Sequence, residues 1–274
     1  MDLIWPDQRL ASQLPASVRL CFTTRLSGCS GVPFQSGNLA RHVGDEATAV
    51  TRNRASLMQQ LPGVQAIQWL NQVHGVDCAV ATGGSTTITA DAAYSRTSGL
   101  ACAVLTADCL PVLLMNRDGD QVAAAHAGWR GLANGVLLST IERFSASSSL
   151  LAVLGPAIGP AAFEVGEEVK EAFAWAPEAC FIELGSGKYL ADLYGLARFQ
   201  LQQVGVQCLD IASLSTSPTP PTSPTSPTSP TSPTSPTSPT SPTSPYCTVT
   251  DSRRFYSYRR EGQTGRQASL IWPI

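Results

Sequence analysis

The sequence predicts a mixed α/β (α+β) fold over one core, and three observations support it. Apolar runs of strand length alternate with segments whose apolar residues recur at helical spacing, and turn residues separate them. The chain has 274 residues, 43% of them hydrophobic, enough to bury a large core. The piece that follows a low-complexity tract, residues 246–274, is too short to fold alone, so 1–274 reads as a single domain.

The elements follow in order. Gly44-Asp45 opens an amphipathic run with Val50, Leu57 and Leu61 on one side, stopped by Pro62-Gly63, and Asp45 is the expected N-cap. Residues 100–115, LACAVLTADCLPVLLM, read as one long buried strand interrupted by Thr106, Asp108 and Pro111. The turn Asn116-Arg117-Asp118-Gly119 leads into a second apolar strand at 121–125, giving a hairpin-like pair. Trp129, Leu132, Ala133, Val136, Leu137, Ile141 and Phe144 then recur at helical spacing. A short strand at 151–154 precedes GPAIGP, and Val169 with Phe173 marks a helix whose wet side is Glu167, Glu168 and Glu171.

One segment carries no core pattern. Residues 222–245 are eight consecutive Thr-Ser-Pro triplets, preceded by a degenerate stretch from 215. Proline at every third position forbids helix and sheet, so the expectation is a solvated, polyproline-II-biased loop spanning roughly 70 Å at about 3.1 Å per residue. The folded part tolerates it because loop-closure entropy grows only logarithmically with length. A slipped repeat without a role accounts for the tract, and a protein-binding linker is the alternative.

Composition narrows the function classes. Charged residues make up 14% and the formal net charge is −2, which excludes the basic footprint of a nucleic-acid binder. Five arginines (253, 254, 259, 260 and 266) crowd the last two dozen residues, as a solvated tail or as ligands for a phosphate or carboxylate. The N-terminus MDLIWPDQRL lacks a signal-peptide pattern, and no apolar run suits a membrane helix. Eight cysteines without a CxxC pair read as reduced thiols, which places the chain in the cytoplasm.

The chain contains only three histidines, His42, His74 and His126, two of them in the settings NQVHG and AAAHAGWRG. Cys109 precedes His126 by 17 residues, at the polar break TADC. A hairpin can bring Cys109 and His126 together if Pro111 bends the first strand. A converged set of two imidazoles and a thiolate suits zinc or copper, and three protein ligands leave a coordination place open, the catalytic pattern. The plainer reading is a pair of hydrogen-bonded histidines and a packing cysteine. Asp91 and Asp108 sit beside apolar sequence, where a carboxylate must accept several hydrogen bonds, pair with a cation or support a metal ligand. Arg130 lies four residues past His126, either one helical turn from the metal or as a surface cation.

These strings, with TTRLSG (23–28), GNLARHVGDE (37–46), WLNQVHG (69–75), LTADCLPVLL (105–114), AAAHAGWRGLANGV (123–136) and FYSYRREGQTGRQASLIW (255–272), resemble the YfiH/laccase-domain family in order and spacing. The match covers nearly everything except 209–245. The resemblance implies a single domain of mixed sheets with flanking helices, layered α/β/β/α. It implies a zinc ion, with copper as the alternative, on His74, Cys109 and His126. It implies phosphorolysis of adenosine, inosine and methylthioadenosine, with adenosine deamination alongside. Its partners are then a purine nucleoside and phosphate, with no nucleic acid and no membrane. Two departures stand out: the Thr-Ser-Pro tract fills the loop before Cys247-Thr248, and Ala161-Ala162 occupy positions where members often carry a cysteine.

Phosphorolysis needs a cation for phosphate and a proton for the leaving base. Arg130 is the first candidate for the anion, with Arg25 and Arg259 behind it and Asn38 as a further substrate contact. Asp91 or Asp108 moves the proton or orients a ligand. Three rivals use the same residues. A cysteine hydrolase or amidase, such as one editing peptidoglycan precursors, would use Cys109 as nucleophile with His126 or His74 as base. A non-catalytic zinc brace would add His42 or Cys102 as fourth ligand. A multicopper oxidase needs on the order of ten histidines, beginning with the two at its blue site; only a weak copper-dependent polyphenol oxidation is compatible with this chain.

Overall fold

In a computed structural model of the chain, residues 1–84, 87–145, 149–209, 214–215 and 246–274 are described. Of the expected low-complexity loop, 215–245, Ser215 belongs to a short strand and residues 216–245 lie outside them. Two six-stranded sheets form the centre. The first runs Leu214–Ser215, Leu3–Pro6, Val18–Thr23, Gln267–Pro273, Leu100–Thr106, Ala66–Gln68. The second runs Gln207–Leu209, Leu150–Leu154, Leu110–Asn116, Val122–Ala127, Ala92–Ser95, Cys78–Val80. Both are mixed: Ala66–Gln68, Gln207–Leu209 and Cys78–Val80 join in parallel, the other partners antiparallel.

The sheets stack face to face. Phe22, Cys102, Val104 and Ile271 of the first meet Leu113, Met115, Ala124 and Val153 of the second in one apolar cluster. On the outer face of the first sheet, Leu57 of helix Ala47–Met58 packs with Ala101, Ala103, Leu270 and Trp272. On the outer face of the second, Leu132, Val136, Leu137, Val169, Leu196 and Leu201 cover Val112, Leu114 and Ala125. The α/β/β/α layering implied by the resemblance is therefore present, and every central strand is buried on both faces.

That double burial explains the main departure from expectation. Residues 100–115 are two strands in different sheets, Leu100–Thr106 and Leu110–Asn116, and the chain crosses between the layers at Ala107-Asp108-Cys109. A strand apolar on both faces shows no alternation, so the run hides its own break. The corner is marked by Asp108, whose φ of +99° lies in the left-handed region. The hairpin itself forms, with Val122↔Met115 through Ala127↔Leu110 in antiparallel register. Cys109 thus directly precedes the Leu110–Ala127 pair, and no bend at Pro111 is required.

Two helices differ from their reading. The N-cap of Ala47–Met58 is Glu46, not Asp45, whose carboxylate instead accepts from the Asn38 amide and the Glu46 N–H. The apolar period from Trp129 to Phe144 is divided into Trp129–Ala133 and Val136–Ile141 by Gly135 at φ +96°, a conformation open to glycine.

Candidate metal centre

Three chain crossings converge at the end of the second sheet. Cys109 sits at the inter-sheet corner, His126 lies at the end of strand Val122–Ala127, and His74 lies on the loop after Leu70–Asn71. One ligand atom from each lies within 4.8 Å of the others. Cys109 Sγ is 3.8 Å from His74 Nε2, and the two imidazoles meet edge to face with centroids 4.8 Å apart. Four-coordinate zinc, with Zn–S about 2.3 Å and Zn–N about 2.0–2.1 Å, places tetrahedral ligand atoms about 3.3–3.7 Å apart. The donor set suits such an ion, and the Cys109–His74 spacing of 3.8 Å is close to that range, while separations of up to 4.8 Å within the trio would have to close by about 1 Å.

Asp91, fully buried, organises this trio. Its Oδ1 accepts from the His74 N–H at 2.9 Å and faces His126 Nδ1 at 2.8 Å; its Oδ2 accepts from the N–H groups of Val73 at 3.1 Å and Gly75 at 2.7 Å. An ionised carboxylate only accepts, so Nδ1 carries the proton and Nε2 of His126 turns to the metal side. The same carboxylate holds His74 at φ +60°, a strained backbone for a histidine, by binding three successive amides of its loop. Burial works against its ionisation, but His126 and the amides of Gly75 and Val73 outweigh it and hold the carboxyl below its usual range.

Charge follows geometry. Burial alone would raise the Cys109 thiol, yet His126 and His74 overcome it and bring its pKa down to about 6. His126 is disfavoured as a cation by burial, but the Cys109 thiolate and Asp91 raise its pKa to about 9. Both shifts favour the charged forms, a thiolate beside an imidazolium. Gly128 makes room for them: a Cβ there would lie 3.0 Å from Cys109 Sγ and 3.0 Å from His74 Cδ2. Exposure is graded, with His126 buried, Cys109 half-buried and His74 exposed, so the trio has an open side.

A model of the multi-copper polyphenol oxidoreductase laccase family matches residues 19–274. The chain belongs to that family. Two curated bacterial relatives extend across nearly the whole length. An Escherichia coli protein named purine nucleoside phosphorylase YfiH is 44% identical over 277 residues, covering 98% of this chain and 97% of that protein. A Pseudomonas aeruginosa protein, also named purine nucleoside phosphorylase, is 43% identical over 263 residues, 94% of each. The solved structure of a Neisseria meningitidis protein is similar with a TM-score of 0.79 and 41% identity, covering 100% of this chain and 99% of that one. YlmD from Geobacillus stearothermophilus follows at TM-score 0.74 and 27% identity, covering 94% and 92%.

For this laccase-family chain the other expected site residues fall in varied places. Asp108 is near the trio but is occupied by structure: Oδ1 accepts from Thr248 Oγ1 and Oδ2 from the Arg259 N–H, both at 2.6 Å. It thereby fastens Cys247-Thr248, which follows the repeat tract, to the corner that carries Cys109. Arg130 is exposed, its guanidinium 4.1 Å above the Trp129 ring. Arg25 is committed to Glu261 at 2.6 Å, to backbone carbonyls and to the Tyr256 face. Asn38 is fully buried and its amide is used by Ala40, Asp45 and Arg266. Arg259 donates to the Glu164 carbonyl at 3.0 Å and stays exposed.

Neither proposed fourth ligand joins the trio among the described residues: Cys102 is buried between the sheets, and His42 is exposed beside Arg266 and Arg54. The C-terminal arginines are not a solvated tail, since Arg254 pairs with Asp251 at 2.5 Å and Arg260 binds the carbonyls of Thr248, Val249 and Phe255. Two site residues escape a reading of residue types. Gly128 shapes the trio, and Arg266, half-buried, lies within electrostatic reach of Cys109 and Asp108. The strings HAGWRG and GQTGRQ contain them, but neither space nor proximity can be read from residue types.

Proposed function

We propose that the chain is a zinc-dependent purine nucleoside phosphorylase that acts on adenosine, inosine and methylthioadenosine, with adenosine deamination as a second activity. The observation that carries this reading is the convergence of a thiolate and two imidazoles with an open side, in a chain whose curated relatives bear the phosphorylase name. Bound there, the ion supplies Lewis-acid polarisation at its free position. The protein supplies the rest. Asp91 fixes His126 Nε2 and the His74 loop, and Gly128 keeps the ligands' space.

Phosphate needs a guanidinium, for which the candidates are Arg130, exposed on the helix that follows His126, and Arg266, within electrostatic reach of Cys109. The same reading takes 1–274 as one catalytic domain in the cytoplasm, where the eight cysteines remain reduced. Among the described residues no helix is long and apolar enough to cross a membrane.

The test is metal analysis of the purified protein together with a coupled assay of inosine plus phosphate, repeated for Cys109→Ala. Stoichiometric zinc and phosphate-dependent release of hypoxanthine, both lost in the variant, are expected. Copper in place of zinc, or release of base without phosphate, overturns the reading. Arg130→Ala is expected to lower activity on the order of tenfold or more, the worth of a charge-assisted hydrogen bond.

One observation favours a second reading. Cys109, His126 and Asp91 form a thiolate, imidazole and carboxylate relay of the kind that serves nucleophilic hydrolysis, including amidase chemistry. Activity insensitive to chelators and abolished by iodoacetamide would select it.

A further inference from the structure

A second concave site shares no lining residue with the trio. A cavity of about 380 Å³ is lined by Arg41, Arg54, Met58, Ile67, Trp69 and Thr87, among others, and no acidic residue takes part among the described residues. That volume falls within the range of about 300–1,000 Å³ common to small-molecule sites. Helix Ala47–Met58 contributes Arg54 and Met58, and strand Ala66–Gln68 contributes its middle residue, Ile67, with Trp69 just beyond its end.

Arg54 is held in place. Its Nε donates to the Leu39 carbonyl at 2.9 Å and its guanidinium lies 3.9 Å over the Trp69 ring. Those contacts leave its terminal nitrogens without a hydrogen-bond acceptor among the described residues, and neither Arg41 nor Arg54 has an ion-pair partner there. Burial, then the charge of Arg41, lowers the Arg54 pKa to about 10. Half-buried Arg54 and exposed Arg41 are therefore neighbouring cations with no ion-pair partner among the described residues, an arrangement that an anion relieves. The planar forks of guanidinium groups match phosphate oxygens in pairs, and the wall of Trp69, Ile67 and Met58 accepts an uncharged ligand body.

We propose that this cavity binds a small phosphate-bearing ligand, its phosphate between Arg41 and Arg54 and the remainder against Trp69. The site goes beyond the phosphorylase reading, because it holds whichever reaction the trio performs. Isothermal titration of the full chain with ribose 5-phosphate, inorganic phosphate and ribose tests it, on wild type, Arg41→Gln and Arg54→Lys.

Arg41 is exposed and makes no hydrogen bond among the described residues, so its variant keeps the fold even if Arg54→Lys does not. Saturable binding of the ester, none of ribose, and affinity weakened on the order of tenfold in Arg41→Gln are expected. Binding of inorganic phosphate as tight as the ester supports the site with free phosphate as its ligand. Binding that survives chelation separates it from the trio. No saturable binding of either phosphate at about 1 mM, or an Arg41→Gln affinity within about twofold of wild type, overturns the proposal.

Discussion

Asp91→Asn isolates the carboxylate that organises both histidines. Each Asp91 oxygen serves two donors: Oδ1 the His74 amide and the His126 ring, Oδ2 the amides of Val73 and Gly75. Asparagine has one acceptor oxygen, so in either orientation its NH₂ group faces two N–H donors. Two hydrogen bonds to a charged acceptor are lost, at about 1.5–3 kcal/mol each, which gives a destabilisation of about 3–6 kcal/mol before relaxation. Against a typical total of about 5–15 kcal/mol the variant still folds, but melts about 6 °C or more below wild type. Loss of the ligand-orienting partner lowers metal affinity about 10–100-fold. Thermal unfolding followed by circular dichroism and competition with a chromophoric chelator measure the two effects. A variant that melts within about 2 °C of wild type and binds metal within about twofold would refute the assignment of Asp91 as organiser.

Two further perturbations act through different physics. Gly128→Ala places a methyl against Cys109 Sγ and His74 Cδ2 at 3.0 Å each, while φ −62° and ψ 156° suit alanine, so no backbone strain is added. Metal affinity should fall on the order of tenfold with the melting temperature nearly unchanged, and unaltered affinity would remove Gly128 from the site. Glu261 is disfavoured as an anion by burial, but Thr264, Arg25 and Arg260 outweigh this and hold its pKa below the ordinary 4.5. Its stabilising contribution is therefore present above that ordinary value and disappears as pH falls through the folded value. The unfolding free-energy gap between wild type and Glu261→Gln should shrink as acid is added, and a gap that is flat with pH would contradict the pairing.

The cluster of His74, Cys109 and His126 was legible mainly through the family resemblance. Three histidines in the chain, two of them in dense motifs, and a cysteine at a polar break made the set conceivable, but residue types alone left the plainer reading of packing and hydrogen bonding open. The layer order followed from the family resemblance. What residue types hid was where a buried run changes sheets: Leu100–Thr106 and Leu110–Asn116 are both apolar on both faces, so only Asp108 betrayed the corner. Asn38 and Arg25 illustrate a second limit. A buried asparagine that ties Ala40 to Arg266 and an arginine clamped by Glu261 look, in sequence, like substrate contacts. Hydrogen-bond capacity already spent inside the fold is visible only in three dimensions.

The fold itself fixes the side chains of the trio. A structural zinc site draws its ligands from segments that are otherwise unordered, so its removal unfolds the protein. Here His126 ends a strand with neighbours on both sides, Cys109 stands where two sheets meet, and the His74 loop is fixed by three amides on Asp91. Cys109 and His126 favour each other's charged forms, so thiolate and imidazolium offset each other within the site. Chelation should therefore abolish activity while leaving far-UV circular dichroism intact, and re-addition of zinc should restore turnover without a refolding step. Collapse of the dichroism spectrum on chelation would mean that the ion braces the fold, and the open-sided, catalytic interpretation of the trio would fail with it.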